Sequence, residues 1–142
     1  MKIVTTLLCL LFCLSLGAKP GEATFGQVTV EVKSKVVQLE YADSFESRSQ
    51  GLMNRKSLCA ECGMLFYYSQ VKQGSMWMRN TFIPLDVAFI RKDGVITDIK
   101  AMQPHDETIT SSSENVLYAW EMNQGWFKRN AISVGDTVIV KE

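Results

Sequence analysis

The stretch QVTVEVKSKVVQLEY, residues 27–41, decides the fold of this chain. Apolar and polar residues alternate in QVTVEV (27–32) and again in VVQLEY (36–41), which is the period of a strand with one buried face. The polar connection KSK (33–35) is short enough to be a hairpin loop. The pattern therefore predicts a two-stranded antiparallel hairpin.

Outward from this hairpin, the same criteria predict further strands in apolar or alternating segments bounded by glycine, proline or polar residues. We place these segments at 64–68, 75–82, 85–90, 95–102, 115–122 and 137–141. Pro84 separates two of them, because proline cannot donate to a strand ladder. Asp93-Gly94 is a hairpin turn signal. At least seven strands are expected.

Helices are few. Asp43 and Glu46 have the spacing of a capping box, which predicts a short helix from about Ser44 to about Leu52. The segment WFKRN (126–130) is long enough for one helical turn. These elements predict a β-rich α+β domain with a compact antiparallel, partly barrel-like sheet and one or two short helices.

The N-terminus has the pattern of a secretory signal peptide. Lys2 precedes an apolar run, and small residues stand at the −3 and −1 positions of a cut before Ala18. We therefore expect residues 1–17 to be a signal peptide, 18–26 a flexible lead-in and 27–142 a single domain. An uncleaved anchor is the alternative, but the run is short for a membrane span. The predicted location is secreted or periplasmic, with no stable membrane insertion after cleavage.

The charge balance restricts the class of partner. Removing Lys2, the only charged residue of 1–17, leaves 14 basic and 15 acidic residues and a net charge near −1. Nucleic acid and anionic membrane surfaces both attract proteins with a basic patch. We therefore expect no nucleic-acid partner.

The predicted mature chain keeps two cysteines, Cys59 and Cys62, in the segment SLCAECGMLF. In an oxidising compartment these thiols would pair, and a structural disulfide is the simplest interpretation. A redox-active dithiol is an alternative, although Gly63 tends to stop the helix that would lower the pKa of the first thiol. Zinc is disfavoured, because a tetrahedral site requires four ligands and His105 is the only histidine.

Polar residues interrupt the apolar segment GSMWMRNTFIPLD (74–86). If this segment were a strand, Arg79 and Thr81 would share a face with Trp77, and Asn80 would lie on the other face. Two further carboxylates, Asp86 and Glu121, have apolar neighbours on their own strands, where an unpaired charge is costly. We therefore predict that Arg79 is held by Asp86 or Glu121.

Two interpretations of this cluster remain open. In the first it is a buried hydrogen-bonded network, with Asn80 and Thr81 bonded to backbone around the Pro84 break. In the second it lines a concave ligand site, with Trp77 or Trp120 as a stacking wall and Arg48 as a second cation. The candidate ligand-binding residues are Arg48, Trp77, Arg79, Asn80, Thr81, Asp86 and Glu121.

Several linked motifs resemble one known family. In this order the chain contains GLMNRKSL, GMLFYY, WMRNTFIPLDVAFI, YAWEMNQGWF and ISVGD. Together they resemble the domain of unknown function 192 family, and the resemblance covers residues from about 28 to 140. The resemblance implies a compact β-rich fold, often exported, and no established reaction. The chain departs from the family pattern at Ala131, where a glycine is usual. The pair Cys59 and Cys62 stands outside the motif core.

These observations predict an exported β-rich domain that binds a small polar ligand or a protein partner, uses no cofactor and is not an enzyme. One alternative is a Cu(I) or redox-related envelope protein using the thioethers of Met76 and Met78 or the cysteine pair, although methionines in apolar strands are usually core residues. Another is a hydrolase using the carboxylates of Asp86 and Glu121.

Overall fold

The computed structural model describes residues 23–142, so the predicted signal peptide and residues 18–22 lie outside the described residues. Within them the chain is mostly β, with two short helices. The elements are β1 (Gly26–Val32), β2 (Lys35–Ala42), α1 (Phe45–Gln50), β3 (Gly63–Met76), β4 (Leu85–Ile90), β5 (Ile96–Met102), β6 (Thr110–Asn123), α2 (Trp126–Arg129) and β7 (Val138–Lys141). The predicted β-rich fold class is confirmed.

All seven strands form one sheet, in the order β5-β4-β6-β3-β2-β1-β7. Neighbouring strands are antiparallel, as predicted, with one exception, because β2 and β3 pair in parallel. A parallel pair requires a crossover, and here the crossover contains α1 and the cysteine segment. The cysteine segment therefore leads directly into a strand at the centre of the sheet.

The sheet curls until its two outer strands meet at one end. Val95, just before β5, forms a β-bridge with Thr137, just before β7. Backbone hydrogen bonds from Val138 N to Gly94 O (2.8 Å) and from Ile96 N to Asp136 O (2.9 Å) support this contact. This contact is the physical basis of the predicted partly barrel-like shape.

The predicted hairpins are confirmed. Val32 pairs with Lys35 at the end of the β1–β2 hairpin. Gly94 donates its N–H to Arg91 O at 3.0 Å and has a φ of 87°, which glycine adopts without strain. The turn chemistry of the sequence was therefore sufficient to locate both connections.

Strand β3 differs from the prediction. The two segments predicted at 64–68 and 75–82 are one strand with irregular register, and it ends at Met76. The prediction of a strand through residue 82 is wrong, because Arg79 and Asn80 form a turn in which Asn80 has a φ of 51°. Asparagine tolerates this left-handed conformation better than most residues.

Strand β6 is longer than predicted. It begins at Thr110 instead of residue 115, because Ser111 and Thr110 pair with the end of β3. The buried Ser112 hydroxyl accepts a hydrogen bond from Gly74 N at 2.8 Å. The polar start of β6 is therefore held in a strand by its pairing with β3 and by the buried Ser112 hydroxyl.

Helix α1 begins one residue later than the predicted capping box implies. Ser44 is the N-cap, and it exchanges hydrogen bonds with Ser47. The capping box is therefore formed by Ser44 and Ser47 and not by the predicted pair, Asp43 and Glu46. The helix ends at Gln50 because Gly51 has a φ of 47°. The predicted extension to Leu52 is therefore wrong, and residues 51–53 turn back over the sheet.

The sheet separates two hydrophobic cores. The first core contains side chains of all seven strands and α2, including Trp120, Ala88 and Met122. The second core lies on the opposite face of β3, β4 and β6, and it includes Val87 and Ala119. Which face a strand residue occupies therefore decides which core it meets.

Candidate functional site

The two predicted carboxylates lie on opposite faces of the sheet. Glu121 is paired in register with Val87, which belongs to the second core, whereas Asp86 is paired with Met122, which belongs to the first core. Because facing residues in register share a side of the sheet, the two carboxyl groups do not act on the same substrate. The hydrolase alternative using both residues is therefore wrong.

Glu121 occupies an unusual position. It is on β6 between β3 and β4, so its backbone is at the centre of the sheet, and only 3% of the residue is exposed. Its carboxyl group has no hydrogen-bond partner within residues 23–142, and no Lys, Arg or His nitrogen of that segment lies within 4.0 Å. Burial raises the pKa of the Glu121 carboxyl to about 8.

A cleft opens beside this carboxyl group, and we call it the α1 cleft. Its walls are the segment from Arg48 to Met53, the side of β3 and the loop that follows β3. The residues outside the first segment that line it are Phe66, Met76, Trp77, Thr81 and Glu121. Its interior offers about 30 Å³ to the centres of water-sized molecules, which is room for roughly two waters or for the end of a larger molecule.

Arg48 forms one rim of the α1 cleft. Its Nη1 donates hydrogen bonds to Asp43 O (2.7 Å) and to Tyr67 O (3.0 Å), which tie the guanidinium to the crossover and to β3. Within the described part of the chain, Nε and Nη2 of Arg48 have no partner. The guanidinium is therefore held in place while part of its donor capacity is unused.

Sequence reasoning missed one polar residue near the cleft, Tyr68. It is on the same core as Glu121, and its hydroxyl donates to Met76 Sδ at 3.4 Å. Burial raises the pKa of the Tyr68 hydroxyl, the nearby Glu121 carboxylate raises it further, and Arg48 opposes the shift. The signal for it was present, because Tyr68 follows Phe66 at the two-residue spacing of one strand face.

Thr81, Trp77 and Asn80 are in or next to the loop at the cleft. Thr81 is 5% exposed and donates its hydroxyl to Arg79 O at 3.1 Å, while its N–H donates to Met78 O. Asn80 accepts a hydrogen bond from Asn54 N through its backbone oxygen. Trp77 is 41% exposed and forms a wall of the cleft, whereas Trp120 is buried in the first core and does not line it.

The predicted pairing of Arg79 is wrong. Arg79 is exposed, has no ion pair with Asp86 or Glu121, and stacks over Trp77, with Cζ 5.4 Å from the ring centroid. The cause is the turn at Asn80, which rotates Arg79 away from the sheet. Arg79 is therefore not the centre of a buried network or of a ligand site, although Arg48, Trp77, Thr81 and Glu121 of the second interpretation line one cleft.

Asp86 has a structural role. Its Oδ2 accepts a hydrogen bond from Gly125 N at 2.7 Å, which fixes the turn that leads into α2. The carboxylate therefore has a partner, and it is on the face away from the α1 cleft. Among the candidate ligand-binding residues, the structure brings Arg48, Trp77, Thr81 and Glu121 together, and it places Arg79, Asn80 and Asp86 elsewhere.

Cys59 and Cys62 form a disulfide with a Cα–Cα distance of 5.0 Å. The pair closes a turn in which Cys62 N donates to Cys59 O, and Asn123 Nδ2 donates to Cys59 O at 2.9 Å. These contacts fix the crossover to the end of β6. No helix follows the first cysteine, so the described geometry lacks the helix dipole that would favour a reactive thiolate.

The methionines proposed for copper are used by the second core. Met78 is 2% exposed, and the thioether of Met76 accepts the Tyr68 hydroxyl. Residues 23–142 contain no group of three or more His, Cys, Asp and Glu side chains arranged to hold a metal ion.

Comparison with known proteins identifies the family. The model of the family described as DUF192, uncharacterized ACR, matches residues 27–140. The chain belongs to the DUF192 family. This DUF192 chain matches no curated protein.

Two solved structures resemble this DUF192 domain closely. A Sinorhizobium meliloti protein provisionally described as a transcription regulator is 36% identical, with a TM-score of 0.80 over 84% of this chain and 98% of that chain. A protein of unknown function from Novosphingobium aromaticivorans is 31% identical, with a TM-score of 0.75 over 87% of this chain and 99% of that one. The similarity thus covers the whole of both neighbours.

In the DUF192 domain, no helix between residues 23 and 142 is long and apolar enough to cross a membrane. The disulfide is compatible with an extracellular location.

Proposed function

We propose that this DUF192 domain is an exported protein that binds a small polar ligand in the α1 cleft. One observation carries the proposal, namely the buried Glu121 carboxyl that reaches the cleft without a protein partner. Within residues 23–142 the fully buried side-chain nitrogen and oxygen atoms without a partner are Trp120 Nε1 and Trp126 Nε1, so the Glu121 oxygens keep some contact with the cleft. Because no described group bonds these oxygens, their hydrogen-bonding capacity is available to a molecule that enters the cleft.

The geometry around Glu121 supports the same conclusion. Strongly perturbed carboxyl groups in a cleft are more frequent at functional sites than elsewhere. Arg48 adds unused donors at the rim, and Trp77 adds an exposed aromatic wall. A concave site in which a few polar groups converge beside an aromatic side chain is typical of ligand sites.

The size of the cleft limits the ligand. Cavities that enclose drug-sized molecules measure about 300–1,000 Å³, and the interior space here is about 30 Å³. The cleft therefore receives a polar end group of few atoms. The remainder of a longer ligand would extend over Trp77.

Export rests on the N-terminal pattern and on the disulfide. N-terminal sequencing of the protein recovered outside the cytoplasm is expected to begin at Ala18. Recovery of the intact N-terminus from the cytoplasm, with free thiols at Cys59 and Cys62, would contradict this part of the proposal.

Ligand binding is tested by nuclear magnetic resonance titration of the ¹⁵N-labelled protein with sugars, amino acids, carboxylates, amines and alcohols. A true ligand is expected to shift signals of residues 48–53 and 77–81 saturably. Glu121→Leu should abolish the shifts. Asp86→Asn, which removes the charge of a buried carboxylate on the other face of the sheet, should preserve them. If none of the compounds shifts these signals in the folded wild type, the proposal fails.

A protein partner is the second candidate, and the exposed aromatics of the loop favour it. Trp77 is 41% exposed, and Phe82 is 51% exposed and packs edge-on against His105 at 4.7 Å. Exposed aromatic side chains are common at interfaces. A partner bound here would be lost on Phe82→Ser, a change that leaves the lining of the α1 cleft intact.

A further inference from the structure

We propose that the α1 cleft takes the carboxylate end of a small organic acid, held by a hydrogen bond from the Glu121 carboxyl group and by the unused N–H groups of Arg48. This inference rests on the proposed function, and it adds the chemical class of the ligand. It is carried by the positions of these two side chains on one cleft.

The charge of the cleft favours an anion over a cation. Arginine is always protonated in proteins, and burial raises the pKa of Glu121 to about 8, which favours its uncharged form at neutral pH. On its face of the sheet Glu121 lies between Met64 of β3 and Val87 of β4, and Arg48 and Thr81 line the same cleft. Tyr68 of β3 belongs to the same core. Beyond Met64 on this face lies Glu40 of β2, whose carboxylate is paired with Arg55. The Glu40 carboxylate is neutralised by Arg55, so the charge that an entering ammonium group meets in the cleft is the Arg48 guanidinium, which repels it.

The donors of the cleft match a carboxylate. A protonated carboxyl group has an O–H to give, and the Arg48 guanidinium has N–H groups in the planar arrangement that suits two carboxylate oxygens. A carboxylate beside the Glu121 carboxyl would share its single proton, as two adjacent carboxyl groups do when both cannot ionise. Binding in this way supplies the partner that Glu121 lacks in the protein.

The size of the space also suits this end group. The interior accommodates a group of few atoms, and a carboxylate has three heavy atoms. A short apolar remainder of the acid would lie on the wall formed by Phe66 and by Trp77, which is 41% exposed. Acids with one to three further carbons should therefore bind better than formate.

The mechanism predicts a definite pH dependence. Above the pKa of Glu121, its carboxylate repels the ligand and has no proton to donate. The dissociation constant should rise roughly tenfold between pH 7 and pH 9, since one proton must be bound with the ligand. A simple ion pair with Arg48 would show no such change in this range, because arginine does not titrate there.

The experiment is a nuclear magnetic resonance titration with sodium acetate and sodium propionate at pH 7 and pH 9, in a buffer without carboxylates and at constant ionic strength. Methylammonium chloride and glycerol are the comparison probes. Saturable shifts of the Trp77 indole and Arg48 Nε signals are expected with the two acids and not with the other probes.

Variants separate the two contacts. Glu121→Gln keeps a donor, so it should still bind propionate while losing the pH dependence. Arg48→Gln should weaken binding at least tenfold, and Arg129→Gln, which removes a cation far from the cleft, should leave it unchanged.

The outcomes distinguish this inference from the proposed function. If methylammonium or glycerol binds in a Glu121-dependent way and the acids do not, the carboxylate assignment is overturned and the proposed function stands. If propionate binds equally at pH 7 and pH 9 in the wild type, proton sharing by Glu121 is overturned. If no probe shifts the cleft signals, both fail.

Discussion

At the scale of single residues, the Glu121 carboxyl links stability to function. Burial raises its pKa to about 8 in the folded state, whereas an unfolded chain has a glutamate pKa of about 4.3. Between these values the folded state binds more protons than the unfolded state, so the free energy of unfolding falls as pH rises. The loss is complete above pH 8.

This difference predicts that Glu121→Gln changes the pH profile of stability. The wild type should lose stability relative to the variant by on the order of 1 kcal/mol per pH unit between pH 5 and pH 8. Urea unfolding of both proteins at pH 5, 6.5 and 8 measures the effect, because contributions from other groups cancel in the difference. Parallel profiles would show that Glu121 is not buried in the uncharged form.

A second residue, Ala131, carries backbone strain. It has a φ of 53°, which costs a residue with a Cβ about 1–2 kcal/mol. The turn after α2 holds this left-handed conformation, with Ala131 N bonded to Lys128 O.

Ala131→Gly should accordingly stabilise the domain by about 0.5–1 kcal/mol. This value is the backbone strain that glycine relieves, reduced by the greater conformational freedom that glycine gives to the unfolded chain. Ala101→Gly on the exposed side of β5 is the matched control and should destabilise it by a similar amount. Thermal unfolding measures both changes. If Ala131→Gly lowered the free energy of unfolding, the claim that Ala131 is strained would be contradicted.

At the scale of elements, β3 shows why part of the site escaped sequence reasoning. The alternation at 75–82 predicts a continuing strand, but Met78 N bonds to Asp106 O, 28 residues away. Met78 is thus bound to a distant loop and not to a neighbouring strand, and the turn at Asn80 that follows directs Arg79 outward. Glu121 could be nominated from its apolar strand neighbours, because those neighbours are local in sequence, whereas the direction of Arg79 depends on a distant loop.

At the start of β3, replacing Gly63 by alanine is expected to cause a large steric clash. A Cβ at Gly63 would lie 2.3 Å from Glu121 O, a backbone atom that cannot move freely, and 2.2 Å from Met122 Sδ. Gly63→Ala should therefore cost about 1–3 kcal/mol or more. At Gly26 the added Cβ would meet only Tyr41 at an ordinary 3.7 Å, so Gly26→Ala should change the free energy of unfolding little. Equal effects of the two substitutions in urea unfolding would refute this account.

The disulfide in the crossover is expected to contribute only modestly to the free energy of unfolding. The loop closed by Cys59 and Cys62 spans few residues, so the loss of the bond should cost roughly 2 kcal/mol or less in the entropy model. The Cys59→Ser/Cys62→Ser double variant should fold, and thiol titration of the exported wild type should find no free thiol. A thiol-exchange activity that the wild type shows and the variant lacks would instead make the pair redox-active.

At the scale of the whole molecule, the fold class was predictable and the strand order was not. Period-two alternation and turn residues are local signals, and they located the β1–β2 hairpin and the turn at Gly94. The parallel pairing of β2 with β3 and the extension of β6 to Thr110 depend on contacts between distant segments. The α1 cleft is formed at that parallel crossover, which explains why its residues could be named singly but not assembled.

The bridge between Val95 and Thr137 has a consequence for a chain during synthesis. Until the last strand has emerged from the ribosome, β1 and the turn at Gly94 have no partner on their outer sides. Unpaired strand edges invite association between chains. In a nascent polypeptide these strand edges therefore stay open until β7 has been made, and factors that shield strand edges would be needed up to that point.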